Sequence, residues 1–232
     1  MRINSKINQK TMKNLITINK NSKSSFLNLK NSLNFSSSSK SNNNLPSFYR
    51  TLWGYDVKLE NIHNDSKDGF QGYEIAWSFT DKEFYKKLSE KMQENNLNSI
   101  IQLHTSGQNI DSHTESFENQ LKEIQEKSSI LPELINCHSG VDSWEIKNKI
   151  NFFEKIRAIS DKPEFKKLKI SHETHRGRCF NNPREFLEII KKVKVGITLD
   201  VSHWVLSYER LLTEENLEIY NEVFSYIKNN TN

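Results

Sequence analysis

The chain has 232 residues, of which 34% are hydrophobic and 27% are charged, and its formal net charge is +4. This composition indicates a folded domain of moderate size and excludes a predominantly disordered chain. No apolar run reaches the roughly 18 residues that a membrane-spanning helix needs, so no membrane partner is expected, and two cysteines are too few for a disulfide framework.

The positive charge is concentrated at the start of the chain. Residues 1–45 hold eight Lys or Arg and no acidic residue, so residues 46–232 hold 25 basic against 29 acidic groups. The run "SSSSKSNNN" in this segment predicts disorder, because it buries too little apolar area to offset its ordering entropy. We therefore predict a low-complexity tail over residues 1–45 and a folded domain over residues 46–232. The negative charge of that domain argues against a nucleic-acid partner.

The tail also bears on the cellular compartment. Acid-free, Ser-rich N-termini are typical of organellar transit peptides, which usually contain several arginines, whereas this tail holds only Arg2. We expect a cytoplasmic protein with a low-complexity extension, and mitochondrial targeting is the alternative.

Six short apolar runs alternate with segments of helical periodicity from residue 48 onward. Such runs are typical of buried parallel strands, and they are "YRTLWGY", "GYEIAWS", "NSIIQLH", "ELINCHS", "KLKISHE" and "VGITLDV". The alternation predicts an α/β fold of about six βα units with right-handed crossovers. Capping patterns predict the helix starts, which are Asp81, Ser112 with Glu115, Asp142 with Glu145, Asn182 followed by Pro183, and Thr213. Only the connection after the first run has weak helical character.

Four consecutive runs deliver an ionisable side chain where the strand ends. The third ends in His104, the fourth in His138, the fifth in Glu173 and the sixth in Asp200, which His203 follows. Active sites of α/β sheets lie at the carboxyl ends of the strands, so we expect these groups to meet at one edge. Carboxylates and imidazoles together suit a divalent cation. Glu173 and Asp200, on adjacent strands, are the predicted metal ligands.

Two of these carboxylates also have purely structural interpretations. Glu173 can instead pair with Arg176 or Arg178, and Asp200 can cap the next segment with Ser202. These alternatives remain open at the level of the sequence.

The histidines and tryptophans likewise have both functional and purely structural interpretations. His104 and His138 can simply bond to backbone, and Trp53 and Trp204 either wall a pocket for a sugar ring or pack in the core. Four histidines receive no role: His172 and His175, which strand alternation turns away from Glu173 or places past the strand end, and His63 and His113, which are predicted to lie on the surface. No phosphate-binding glycine loop or nucleophile-elbow serine competes as a site.

Several stretches together resemble the xylose isomerase-like TIM barrels. They are "QLHTSG", "NCHSGVDSW", "HETHRGR" with its Asn182-Pro183 helix start, and "ITLDVSHW". The more specific feature is Asp200 with His203 three residues later, after a strand-end Glu173. This family includes sugar and sugar-phosphate isomerases and epimerases and metal-dependent apurinic endonucleases. The resemblance implies a TIM-barrel-like fold, here an incomplete barrel.

The resemblance also implies a metal-dependent site for a small sugar-like substrate. Its divalent ion, Mn, Mg, Co or Zn, polarises a carbonyl and the adjacent hydroxyl while carboxylates move a proton through an enediolate. The implied residues are Glu173 as ligand and acid/base, Asp200 as ligand, His203 and Arg178 as substrate contacts, and His104 and His138 as pocket lining. The leading hypothesis is an isomerase or epimerase of a sugar, a sugar phosphate or a related hydroxy-carbonyl compound.

The sequence departs from the family pattern in one respect. The family takes a further His and a carboxylate from its seventh and eighth strands, whereas only six strands are predicted here. We expect a truncated chain, and loss of activity is one consequence of such a truncation. The alternatives are completion by another chain or an oligomer, and a degenerate protein. Two other functions follow: a noncatalytic sugar- or protein-binding module, and, less favoured by the acidic domain, an apurinic endonuclease-like hydrolase.

Overall fold

The computed structural model describes residues 47–52, 58–208 and 217–230. The predicted disordered tail, Trp53 and the helix start at Thr213 lie outside these described residues. Everything below refers to the described part of the chain.

Six parallel strands form one sheet in which every strand lies beside the strand that precedes it in the chain. The neighbouring pairs are all parallel. The strands are β1 (Tyr49–Thr51), β2 (Gly72–Ala76), β3 (Asn98–His104), β4 (Leu134–His138), β5 (Ile170–Glu173) and β6 (Ile197–Thr198). This order, with a helical connection after each strand, is that of a TIM-barrel-like α/β fold and confirms the predicted six βα units.

Seven helices within the described residues connect and cover these strands. They are α1 (Ile62–Lys67), α2 (Lys82–Glu94), α3 (Ile110–Lys127), α4 (Ile146–Ser160), α5 (Pro183–Lys192), α6 (Val201–Tyr208) and α7 (Leu217–Asn230). Short 3-10 helices at Leu59–Asn61 and Trp77–Phe79 precede α1 and α2. None of the described helices is both long enough and apolar enough to cross a membrane.

The two faces of the sheet differ in character because successive strand residues point in opposite directions. One face packs against the helices in a continuous apolar core, to which the strands contribute Tyr73, Ile75, Ile101, Leu103, Ile135 and Cys137. On the other face, Gln102 aligns with Asn136, and Asn136 aligns with Ser171. These three polar side chains are buried. His104 and His138 follow Gln102 and Asn136 by two residues, so they lie on the same face and opposite each other in the register of β3 and β4.

Two predicted helix starts are confirmed by their capping contacts. Asp81 accepts a hydrogen bond from the backbone N–H of Phe84, and Asn182 accepts one from Glu185 with Pro183 in the first helical position. These side chains satisfy amide groups that the first turn of a helix leaves unpaired.

The predicted capping box at Ser112 and Glu115 is wrong. Asn109 caps α3, and Ser112 is the third helical residue that completes the box. The prediction that His113 lies on the surface is also wrong, because His113 lies one helical turn before Phe117 on the buried face of α3. His113 is buried, with ring nitrogens 2.9 Å from the Thr105 hydroxyl and 3.1 Å from the Gly107 carbonyl oxygen.

The sixth strand is much shorter than the run "VGITLDV" predicts. Only Ile197–Thr198 pair as a strand, and α6 begins at Val201. The side chain of Asp200 accepts hydrogen bonds from the amide and hydroxyl of Ser202, which favours a helix start over an extended strand. Trp204 of α6 is fully buried and donates to the carbonyl of Phe180, so it packs in the core and does not wall a pocket.

Candidate metal site

A row of four histidines crosses the carboxyl end of the sheet. His104 and His138 end β3 and β4, His175 follows β5, and His203 lies in the first turn of α6. The distances between successive ring centroids are 4.3 Å, 4.3 Å and 3.8 Å in that order. Imidazole rings from four consecutive βα units therefore meet at one edge, as the strand-end pattern predicts for three of them.

Glu173 lies buried beneath this row. Its Oε2 accepts a hydrogen bond from Nδ2 of Asn136 and lies 3.0 Å from Nε2 of His138. An ionised carboxylate oxygen only accepts hydrogen bonds, so His138 donates through Nε2. The sequence alternative in which Glu173 pairs with Arg176 or Arg178 does not occur among the described contacts.

Asp200 lies beside Glu173 because the two neighbouring strand ends are joined through Thr174. The Thr174 hydroxyl accepts from the Asp200 amide at 2.7 Å and donates to the Asp200 carbonyl at 2.8 Å. The side chain of Asp200 serves two purposes. Oδ1 caps α6 through Ser202, as the structural alternative expected, and Oδ2 faces His203.

Three potential ligand atoms face one another at this point without hydrogen bonds between them. His203 Nε2 lies 3.8 Å from Glu173 Oε1 and 3.9 Å from Asp200 Oδ2. Both distances exceed hydrogen-bond length. They suit atoms that share one cation, since ligands about 2.0–2.2 Å from an ion lie roughly 3–4.5 Å from one another. These residues therefore fit a divalent metal ion.

A second group shares Glu173 with the first. His138, Glu173 and His175 also bring potential ligand atoms within 4.8 Å of one another, as Glu173, Asp200 and His203 do. Nδ1 of His175 donates to the backbone carbonyl of Arg176 at 2.6 Å. This leaves Nε2 of His175 with its lone pair free, which is the state of a metal-binding histidine.

Burial keeps three histidines of the row neutral. Burial, together with a smaller effect of the neighbouring His138, lowers the pKa of His104 to about 4 and that of His175 to about 4. Burial also lowers the pKa of His203, although Asp200 and Glu173 act in the opposite direction. Neutral imidazoles at physiological pH are ready to act as ligands.

Glu173 stays ionised despite its environment. Burial acts to raise the pKa of Glu173, but the hydrogen bonds from His138 and Asn136 outweigh burial, and the resulting pKa lies below the ordinary value. A charged carboxylate at the centre of the row is the state that a cation requires.

Arg178 reaches the edge of the site but is held by backbone. Its Nη1 donates to the carbonyl of Thr105 at 3.0 Å and to the carbonyl of Gly140 at 3.1 Å. These two contacts fix a positive charge close to His104, whose pKa this charge helps to lower. The predicted substrate contact by Arg178 thus remains a prediction.

Sequence reasoning missed two residues of the site. His175 was given no role because it was expected to point away from Glu173 or to lie past the strand end. It does lie past the end of β5, yet its ring joins the row, and the i, i+2 spacing from Glu173 was the available signal. Asn136 was not singled out at all. Its spacing of two residues before His138 places it on the same face of β4.

His172 lies on the opposite face, toward the helices. Its Nδ1 is 2.6 Å from the Ser139 hydroxyl, and burial lowers its pKa to about 3. In the unfolded chain this histidine takes up a proton near pH 6.5, whereas in the folded chain it stays neutral. The contribution of His172 to the free energy of unfolding is therefore fully present above pH 6.5 and is lost as the pH falls below that value. Between pH 6.5 and 5 we expect His172→Gln to reduce the pH dependence of the unfolding free energy by up to about 1.4 kcal/mol per pH unit.

Urea unfolding in the presence of a chelator measures this dependence. His63→Gln changes a histidine at an exposed position and should leave the slope as it is in the wild type. An unchanged slope in His172→Gln would show that the buried imidazole takes up its proton in the folded state.

Solved structures share the fold at low identity. The probable 3-DHS dehydratase AsbF from Bacillus anthracis superposes with a TM-score of 0.52 at 14% identity, covering 75% of this chain and 66% of that chain. An AP endonuclease, family 2, from Brucella melitensis superposes with a TM-score of 0.51 at 14% identity, and the match covers 80% of this chain and 89% of that chain. A D-psicose 3-epimerase in the presence of D-fructose superposes with a TM-score of 0.50 at 16% identity, and the match covers 66% of this chain and 61% of that chain. Identities this low establish the fold alone.

Sequence comparison identifies the family. Among curated proteins, none matches this sequence. A profile of the xylose isomerase-like TIM barrel family matches residues 66–228, which cover more than half of the chain and include β2 to β6 and the histidine row. The chain belongs to the xylose isomerase-like TIM barrel family.

Proposed function

We propose that this protein is a metal-dependent isomerase or epimerase of a sugar, a sugar phosphate or a related hydroxy-carbonyl compound. The observation that carries the proposal is the approach of Glu173 Oε1, Asp200 Oδ2 and His203 Nε2 at distances suited to one ion. Membership of the xylose isomerase-like TIM barrel family supports the same reaction class.

Three residues would hold the ion. Glu173, Asp200 and His203 supply two negative charges and one neutral nitrogen, a donor set that Mn, Mg, Co or Zn accepts in proteins. When bound, a divalent ion polarises a carbonyl and the adjacent hydroxyl and stabilises the negative charge that develops there. His203 was expected to contact substrate, and its position beside both carboxylates favours a ligand role instead.

The carboxylates would carry out the proton transfer. In this proposal, Glu173 takes the proton from the substrate carbon next to the carbonyl, which gives an enediolate. In isomerisation it returns the proton to the neighbouring carbon while the hydroxyl proton moves to the other oxygen, and in epimerisation a second acid protonates the opposite face of the same carbon. The hydrogen bonds from Asn136 and His138 keep this carboxylate ionised and fixed in place. His104, whose ring lies 4.3 Å from that of His138, would line the same site.

The outer part of the site suits a sugar. Phe79 is 79% exposed, and its ring lies 5.7 Å from the ring of His104 in an edge contact. An exposed aromatic face beside polar groups can pack against the C–H face of a sugar. Arg178 adds a fixed positive charge that would attract a phosphate on the substrate.

A second candidate function is hydrolysis of a phosphoester. It is favoured by the sharing of Glu173 between two groups of potential ligands, because enzymes that cleave phosphoesters commonly hold two ions about 3.5–4 Å apart.

The first test measures metal content and proton exchange together. The purified chain is dialysed against Mn²⁺, its metal is quantified by mass spectrometry, and the uptake of solvent deuterium into D-fructose and D-fructose 6-phosphate is followed by NMR. We expect the wild type to retain metal and to exchange the proton next to the carbonyl, and Asp200→Asn to lose both.

Asp142→Asn is the matched control, since Asp142 is exposed and outside the histidine row. It should behave as the wild type does. Wild-type metal content no higher than that of Asp200→Asn would refute the proposal. Cleavage of bis(p-nitrophenyl) phosphate without deuterium uptake would favour the hydrolase.

A further inference from the structure

Thr105 joins two loops at the carboxyl end of the sheet from the side that faces the helices. It directly follows His104 at the end of β3, it is buried at 1% exposure, and its backbone N–H donates to the carbonyl of His138 at 3.2 Å. Its hydroxyl oxygen accepts the backbone N–H of Gly140 at 2.8 Å. One residue therefore holds the peptide units on both sides of Ser139, where the chain leaves β4.

His113 on α3 sets the direction of the Thr105 hydroxyl. Nε2 of His113 lies 3.1 Å from the carbonyl oxygen of Gly107, which can only accept, so Nε2 carries a proton. Burial lowers the pKa of His113, so the ring is neutral and Nδ1 has a free lone pair. The Thr105 hydroxyl, 2.9 Å away, donates to this lone pair. The lone pairs of the hydroxyl oxygen then face the N–H of Gly140.

The loop after β5 holds the same two residues. Nη1 of Arg178 donates to the carbonyl of Thr105 at 3.0 Å and to that of Gly140 at 3.1 Å. Gly140 has a φ of 58°, and a Cβ at this position would lie 2.4 Å from Sγ of Cys179, so only glycine fits here. The loop after β4 is thus packed closely between the loops that follow β3 and β5.

These contacts reach the candidate metal site through His138. Nε2 of His138 donates to Oε2 of Glu173 at 3.0 Å, and this bond helps to keep the carboxylate ionised. The direction of the His138 ring follows from the backbone that carries it, and β4 ends at this residue. Among the described contacts, neither the Thr105 nor the His113 side chain touches Glu173. Both act on it from a distance.

We propose that Thr105 and His113 are positioning residues that hold the His138 ring in hydrogen-bond contact with Glu173. The inference rests on the proposed function, in which Glu173 moves the substrate proton, and adds two residues to it. Removal of the Thr105 hydroxyl leaves the buried N–H of Gly140 and Nδ1 of His113 without partners. Unpaired buried polar groups are costly, so the loop shifts to recover partners and His138 shifts with it.

The first measurement uses the metal-free full chain and needs no substrate. Proton–nitrogen correlation NMR distinguishes the protonated from the unprotonated nitrogen of each histidine ring, and the His138 signal is assigned by its loss in His138→Gln. In the wild type we expect one tautomer, with the proton on Nε2 and in slow exchange with solvent. Thr105→Val, which removes the hydroxyl at similar shape, should speed this exchange about 10-fold.

Matched variants separate the hydroxyl from the fold. Thr105→Ser keeps the hydroxyl and should restore the wild-type exchange rate. Thr114→Val makes the same change on α3, where the hydroxyl donates to the carbonyl of Ile110 in the same helix, and should leave the rate unchanged. His113→Leu removes the acceptor, should act as Thr105→Val does, and replaces it if the valine variant does not fold. His113→Asn, whose Oδ1 can accept in place of Nδ1, should restore the rate.

The second measurement is deuterium uptake into D-fructose and D-fructose 6-phosphate. In Thr105→Val, kcat for this exchange should fall about 10-fold with KM unchanged, because the residue orients Glu173 without touching substrate. Unchanged exchange of the His138 proton in folded Thr105→Val and His113→Leu would overturn the inference whatever the activity. Faster proton exchange with kcat unchanged would also count against it. A wild type without deuterium uptake, but with the expected NMR result, would end the proposed function and leave the positioning of His138 intact.

Discussion

Replacing Glu173 with glutamine should lower the affinity for Mn²⁺ by more than about 100-fold and abolish proton exchange on the substrate. Changes to residues that merely support a metal ligand already cost about 10- to 100-fold, and this change removes a charged ligand. The fold should persist, because the glutamine carbonyl oxygen can accept from Asn136 and His138 as Oε2 does. Its NH₂ group then faces the position of the ion and repels it.

Titration calorimetry and a thermal melt of the metal-free chains measure the two effects separately. Glu154→Gln makes the same substitution at an exposed position on α4 and should retain the metal affinity of the wild type. If Glu173→Gln bound Mn²⁺ as tightly as Glu154→Gln, Glu173 could not be a ligand.

Phe153→Ala should lower the free energy of unfolding by about 3–5 kcal/mol. Phe153 is fully buried, its ring stacks on Phe180 with centroids 4.5 Å apart, and it lies 5.2 Å from the ring of His172. Removing this ring leaves a cavity between α4, β5 and the loop that leads to α5. Such a loss is a large part of the roughly 5–15 kcal/mol that stabilises a typical domain.

Urea unfolding of the metal-free chain measures the change. Phe224→Ala makes the same substitution on α7, where the side chain is 40% exposed, and should cost about 1 kcal/mol or less. A loss below about 1 kcal/mol in Phe153→Ala would mean that the core collapses around the missing ring.

The strand ends could be predicted from the sequence because they depend on local pattern. Buried parallel strands read as continuous apolar runs, and the last residue of each run lies at the same edge of the sheet. His104, His138 and Glu173 were therefore placed at the strand ends they occupy. The metal role of Glu173 and Asp200 stays a prediction that the experiments above test.

The errors arose where tertiary contacts decide between local alternatives. Asn109 and Ser112 are both good capping residues, and only the contacts at the start of α3 show which one ends the loop. His113 is polar, and its burial depends on partners in the preceding loop. Asn136 donates a hydrogen bond to a carboxylate 37 residues away, so no local sequence pattern indicates its role.

The hydroxyl of Thr174 has a consequence for the proposed metal site. It joins the residue after Glu173 to the backbone of Asp200 through two hydrogen bonds, so both carboxylates are already ordered before any cation arrives. The loss of conformational entropy that ordering the site requires thus occurs during folding. In the proposed metal site, release of the ion would then be linked to transient opening of the β5–β6 edge, and the residence time of the metal would follow the local stability of that edge.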